Sequence, residues 1–212
     1  MSKIDFEKLV LKQDARNQIQ NIMSRYAFYI SSASFDEIPE LFSTAPDVRA
    51  EMPWGVYDGR AGIERLFTTY FAQALTGPGV MAYHTTTTPV IEVAGDLKTA
   101  KAVWISTGHM SGGLTPDSSI EAHWAWFKWG CDFISEGGKW KIWHLHVFGT
   151  FLCSFDKSWT DTGDVHPEPE LPDKYKPDRP PTHHWSYSPT ALVENIPEPP
   201  KPYETFDPAK AY

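Results

Sequence analysis

Apolar residues recur three and four apart between Asp5 and Tyr29, through Phe6, Leu9, Ile19, Met23, Tyr26 and Tyr29, and predict an amphipathic helix. The same spacing from Arg60 to Leu75, through Ile63, Leu66, Phe67, Tyr70 and Phe71, predicts another, ended by Gly77-Pro78-Gly79. Between them Phe35–Phe42 reads as a short helix capped by Ser34, Val48–Met52 as a strand, and Trp54–Gly59 as a turn-rich link. Past residue 80 the period becomes two. Ala82–Val93 and Ala100–His109 read as strands joined at Gly95-Asp96, followed by a polar loop from Ser111 to Asp117. His123–Phe148 then reads as a long antiparallel hairpin turning at Ser135-Glu136-Gly137-Gly138, where glycine supplies the positive φ of a tight connection. Alternation puts Trp140, Ile142, His144, His146 and Phe148 on one face of its second strand. Helices first and a meandering sheet afterwards predict an α+β fold in which a curved sheet packs on the helices and encloses a cavity.

The pattern breaks after residue 155. Twelve of the eighteen prolines lie beyond Asp156, among aromatic residues with neither helical nor strand period. Proline cannot join a regular ladder, and a freely disordered tail is normally poor in aromatics. Residues 1–155 are therefore expected to form one domain, and 156–212 an extended strap pinned by its rings to the domain or to a neighbouring subunit.

Composition narrows the function classes. A net charge of −8 with no basic stripe argues against nucleic acid. No apolar run reaches the ~20 residues of a membrane span, and the first residues lack a signal-peptide core, so a cytoplasmic protein is expected. Cys131 and Cys153 belong to no C-x-x-C pair and read as buried thiols. No phosphate-cradling loop, dinucleotide fingerprint or nucleophile elbow is present. His183-His184 have no further ligand at a metal-binding spacing, so neither metal nor cofactor is expected. Asp132 is expected to pair with Lys128 or Lys141.

Arg25-Tyr26, Phe35-Asp36-Glu37-Ile38, Tyr57-Asp58-Gly59-Arg60, Gly62-Ile63, His84, Gly95-Asp96, Trp104 and Trp140-Lys141-Ile142 follow one another in an order that resembles the SnoaL-like branch of the nuclear transport factor 2-like superfamily. The resemblance runs from about Asp14 to Phe151. It implies a cone of three helices against a curved mixed sheet, usually dimeric through that sheet, with a pocket inside. Its members include dehydratases, isomerases, cyclases, cofactor-free lyases and binding modules. The chain looks most similar to the scytalone and bile-acid dehydratases, and its aromatic content also to diarylpropane lyases that release formaldehyde. Tyr26 and His84 match the dehydratase pattern, and His109 its second catalytic group. Where the bile-acid enzymes carry an Asp after the helix Tyr, this chain has Ser31.

Elimination of water needs a base and an acid, and histidine serves both near neutral pH, while a tyrosine hydroxyl holds a leaving or developing oxyanion. His84 and His109 are therefore expected as base and acid, with Tyr26 orienting the oxygen. Tyr29, Trp54, His123 and His146 are expected to line the substrate site, Trp54 as a lid. The substrate is expected to be an apolar or aromatic small molecule bearing a hydroxyl, and the protein a homodimer or higher homo-oligomer. Each group has a structural alternative: a strand histidine also serves as a hydrogen-bonded scaffold residue, and Tyr26 as a core ring.

Overall fold

The computed structural model describes residues 5–112, 119–160 and 170–212. Helix α1 spans Phe6–Ser31, its first turn capped by the Asp5 carboxylate, which accepts from the Lys8 N–H at 3.0 Å. It buries Ala15, Ile19, Met23, Tyr26 and Ile30 as one stripe, while Phe6, Leu9 and Val10 near its start stay exposed. The expected short helix is two successive 3-10 turns, Phe35–Glu37 and Pro39–Leu41. Ser34 precedes them without capping, because its hydroxyl bonds that of Ser32 at 2.8 Å. Helix α2 begins at Gly59–Glu64, widens to π geometry over Arg65–Phe71 and closes at Ala72–Ala74. Such wide turns re-aim side chains, and here they carry Phe67, Tyr70 and Phe71 into the core.

The sheet has seven strands: β1 Arg49–Met52, β2 Gly55–Asp58, β3 Met81–His84, β4 Thr87–Val93, β5 Thr99–Ser111, β6 Ala122–Glu136 and β7 Lys139–Ser154. Their order is β2-β1-β7-β6-β5-β3, with β4 also paired to β5, and only β1–β7 is parallel among these pairings. The link read at Trp54–Gly59 thus contains β2, and the single strand read at Ala82–Val93 is two. The polar loop after β5 lies largely outside the described residues. Curved and unclosed, the sheet wraps α1 and α2 in the cone that the family resemblance implies.

The β6–β7 hairpin turns on Gly137 and Gly138, at φ 56° and 79°, which only glycine adopts freely. Its register slips twice, at Asp132/Phe133 and at Trp126/Phe127. Each slip inserts one residue into β7, Trp143 and then Thr150, and reverses which residues face inward. Ile142, Leu145, Val147 and Leu152 therefore all join the core inside the cone. This corrects the expectation that Ile142 shares a face with the imidazoles: His144, His146 and Phe148 point to the outer face of the sheet.

The described part of the strap packs on its own chain: Leu171 and Tyr175 join the core beside α2, and later segments cross the outer face of the sheet. The Val56 N–H donates to the Arg179 carbonyl at 2.9 Å and the Asp178 N–H to the Val56 carbonyl at 2.8 Å, so this segment pairs with edge strand β2. Further along, Tyr212 covers Gly130, and Phe206 packs on Trp143. Beneath it sits a buried polar cluster. Asp132, fully buried, accepts from Lys101 Nζ at 2.6 Å, His144 Nδ1 at 2.8 Å and the Tyr212 N–H at 2.9 Å. Lys101, across the β5–β6 ladder, is the cation that pairs with Asp132, in place of the expected Lys128 or Lys141. On the rest of the outer face Tyr83, Ile105 and Trp126 remain exposed. No helix among the described residues is long and apolar enough to cross a membrane.

Candidate active site

The mouth of the cone holds a cavity of about 60 Å³, walled by α1 through Tyr26 and Ile30, by α2 through Tyr70 and Phe71, and by the inward faces of β3, β5, β6 and β7. That is room for only a few waters. Tyr26, His84 and Trp129 bring a hydroxyl, an imidazole and an indole N–H to a largely apolar wall that Tyr70 and Thr86 also join, and no Lys, Arg, Asp or Glu among the described residues lines it. Tyr26 packs edge-on against Phe67 and Trp129, with ring centroids 5.9 and 5.4 Å away. Trp129 Nε1 is buried without a hydrogen-bond partner, and so is His84 Nδ1.

His84 ends β3 opposite Gly108 of β5. Its ring lies across that glycine and against Phe127, at 5.2 Å between centroids. A Cβ at position 108 would overlap His84 Nδ1 and stand 2.6 Å from the Tyr83 carbonyl oxygen, so a side chain there would displace the imidazole or part the strands. Because Nδ1 rests on Gly108, Nε2 is the ring nitrogen turned toward the cavity.

The structure brings together only part of the expected set. Tyr26, His84 and Trp54 share the cavity. Trp54 is held from the β1–β2 turn, where its Nε1 donates to the Tyr57 hydroxyl at 3.2 Å. His109 is exposed on the other face of β5, stacked at 4.8 Å on Trp124, and does not face the cavity with His84. Tyr29 packs at the edge of the core, off the cavity wall. His123 lies beyond the cavity, with Nδ1 3.1 Å from the Glu121 carbonyl oxygen. The second β7 slip does not return His146 inward: it lies in a polar groove under the strap, its Nε2 3.3 Å from Glu51 Oε1 and its ring on Phe148 and His183. His183 thus serves as a stacking partner, and no group of three or more His, Cys, Asp or Glu able to hold a metal occurs among the described residues.

Burial sets the protonation states. It raises the Tyr26 phenol far above its ordinary value, Cys131 adding to the effect, so the hydroxyl stays a donor. Burial, with His109 nearby, pushes His84 down to about 4, leaving a neutral proton acceptor at pH 7. His146 is pushed down to about 3 by burial, then by His183 and Arg49. The close Glu51 does not reverse this, because its Oε1 is already taken by the N–H and hydroxyl of Thr182. For both histidines the unfolded chain, near 6.5, binds protons first. Stability is therefore full above about pH 6.5 and falls as the pH drops through that value toward 4. Urea unfolding at pH 5 should show a loss on the order of 1–2 kcal/mol from each histidine relative to pH 7. In His146→Gln the fall between pH 7 and pH 5 should be about half that of the parent, because His84 still contributes its share. Equal falls in the two proteins would refute the assignment to His146.

Some wall residues were not foreseen: Phe127, Trp129, Val147 and Leu152 from the hairpin, Met110 from β5, and Trp185 from the strap. Parity along β6 from the buried Phe133 would have found Trp129 and Phe127. Nothing periodic marks Trp185.

Residues 12–146 match the SnoaL-like domain family. A search of curated proteins returns no match. Among solved structures the chain is similar to a "Putative Scytalone Dehydratase" from Novosphingobium aromaticivorans, at 11% identity and TM-score 0.56 over 73% of this chain and 94% of that one. It is likewise similar to LinA, at 12% identity and TM-score 0.55 over 76% and 99% of the two chains. A third similar structure, described as a hexachlorocyclohexane dehydrochlorinase (LinA) Type2, gives 12% identity and TM-score 0.53 over 74% and 95%. At these identities the likeness is one of fold. By its matched segment, the chain belongs to the SnoaL-like domain family.

Proposed function

We propose that the protein is a lyase that needs only proton transfer and acts on an uncharged, hydroxylated aromatic or other apolar ring compound. The observation that carries this is a neutral imidazole and a protonated phenol in one apolar cavity, with no charged side chain among the described residues of its wall. His84 takes a proton from the carbon next to the one bearing the hydroxyl, the carbon–oxygen bond breaks, and the departing oxygen leaves as water. Tyr26 donates a hydrogen bond to that oxygen, and the imidazolium formed at His84 returns the proton, since His109 is on the other face. In the formaldehyde-releasing variant His84 takes the proton of a primary hydroxyl, the carbon–carbon bond breaks to release formaldehyde, and the carbon left with the electron pair takes the proton back from the imidazolium. Both reactions gain from a dry cavity, where a neutral base needs no desolvation. Dehydratase and dehydrochlorinase structures of the same fold agree with elimination chemistry.

The test is incubation of the purified protein with hydroxylated aromatic compounds, followed by mass spectrometry. Loss of water or formaldehyde in the parent, abolished in Tyr26→Phe, supports the reading. A second reading, a binding module, is favoured by the low basicity of His84. Ligand retention without any mass change would establish that one. The proposal includes a homo-oligomer, with the exposed Tyr83, Ile105 and Trp126 as the face a second copy would cover. Light scattering should give a multiple of the 24.0 kDa chain mass, and a monomer mass would remove this part.

A further inference from the structure

Trp185 reaches the cavity from outside the matched family domain, which ends at residue 146. Its position is held from both sides along the chain. The Ser186 N–H donates to the Gly149 carbonyl at 2.9 Å and the Tyr187 N–H to the Thr150 carbonyl at 3.2 Å, which seats the segment on β7 at its second register slip. Two residues earlier, His183 stacks on His146 at 5.5 Å and packs at a tilt against Phe148 at 5.1 Å. The indole lies flat over Gly149, so close that a Cβ there would overlap it, and reaches Phe127 at 5.9 Å. Its ring is therefore a cavity wall made by the strap and accommodated by a missing side chain on the sheet.

The remaining space of about 60 Å³ is below the roughly 150 Å³ that accommodates a benzene ring, so one ring enters only as a wall gives and two fused rings do not fit. The other walls belong to helices and to the hydrogen-bonded sheet, whose displacement would disrupt the core, and to the β1–β2 turn, where Trp54 is held by its bond to Tyr57. The Trp185 wall rests on a short run of pairing in a proline-rich segment, and is the part that yields at least cost. We propose that Trp185 determines substrate size: in place it restricts the cavity to a single-ring ligand, and its removal admits a second fused ring. This rests on the cavity being the ligand site, and it specifies which ring compounds the proposed lyase takes.

Calorimetric titration with phenol and with naphthol, both uncharged near neutral pH, tests it on the full chain. The parent should bind phenol more tightly than naphthol. Trp185→Ala should reverse the order, gaining roughly tenfold or more for naphthol through the added apolar burial. Trp185→Phe should fall between, and Gly149→Ala, which lifts the indole off the sheet, should shift preference the same way as Trp185→Ala. The latter two carry the test if Trp185→Ala does not fold. Equal discrimination in the parent and the variants, or binding of neither compound by any of them, overturns the assignment. Only binding is read, so size-dependent binding with no turnover would remove the lyase reading and leave the size determinant standing.

Discussion

His84→Ala is expected to lower kcat/KM by about 10²–10⁴, the usual worth of a positioned general base. That corresponds to roughly 3–5.5 kcal/mol of transition-state stabilisation. The expectation follows from geometry as well as chemistry: no other imidazole among the described residues lines the cavity, and the Tyr26 phenol is held protonated by burial. The pH profile identifies the mechanism. A base must be neutral to act, so kcat/KM in the parent should be level near neutrality and fall as the pH drops through about 4, where His84 takes up its proton. The variant should lack that acid limb. Tyr26→Phe isolates the hydroxyl, because the ring keeps its packing on Phe67 and Trp129. A folded His84→Ala protein that retains most of the parent rate would end the base assignment.

Asp132→Ala should be the most damaging single change for stability, by about 3–5 kcal/mol. The loss comes less from the missing attraction than from what stays behind. Lys101 would keep only the Lys210 carbonyl and the faces of Phe206 and Tyr212, and His144, whose Nε2 already lacks a partner, would have neither ring nitrogen bonded. The Tyr212 N–H would also lose its acceptor, freeing the end of the strap. For a chain of this length a fall in Tm of about 10 °C is expected. Asp132→Asn should be less severe, since one oxygen can still accept from Lys101. A loss under about 1 kcal/mol in Asp132→Ala would mean that the cluster is better solvated than its burial indicates.

The α+β arrangement was legible from the change of period, 3.6 in the helices and two in the sheet, and the hairpin from its paired glycines. The site was legible only as far as face assignment allowed. His109 is five residues from Trp104, an odd separation on a strand without a slip against β6, so the buried tryptophan already places that imidazole outside. His146 needed more than parity, because the residue inserted at Trp143 changes the count, and bulges arise from the fit between strands, which one strand's sequence does not carry. Trp185 was beyond reach for another reason. Its place depends on a gap left by Gly149, and such complementarity between distant segments has no local pattern.

The two inserted residues divide β7 into three stretches of independent phase. Within each stretch, side chains answer to their own wall: Trp140 and Ile142 to the base of the cone, Leu145 and Val147 to its middle, Leu152 to its mouth. Removing the inserted Thr150 would relieve the second slip and leave Phe127–Gly149, Trp126–Phe151 and Ala125–Leu152 paired as they are, so Leu152 would keep facing inward. The strand behaves like a shaft with two couplings. A one-residue change of length taken up at a coupling stays there, and the packing on either side of it is kept.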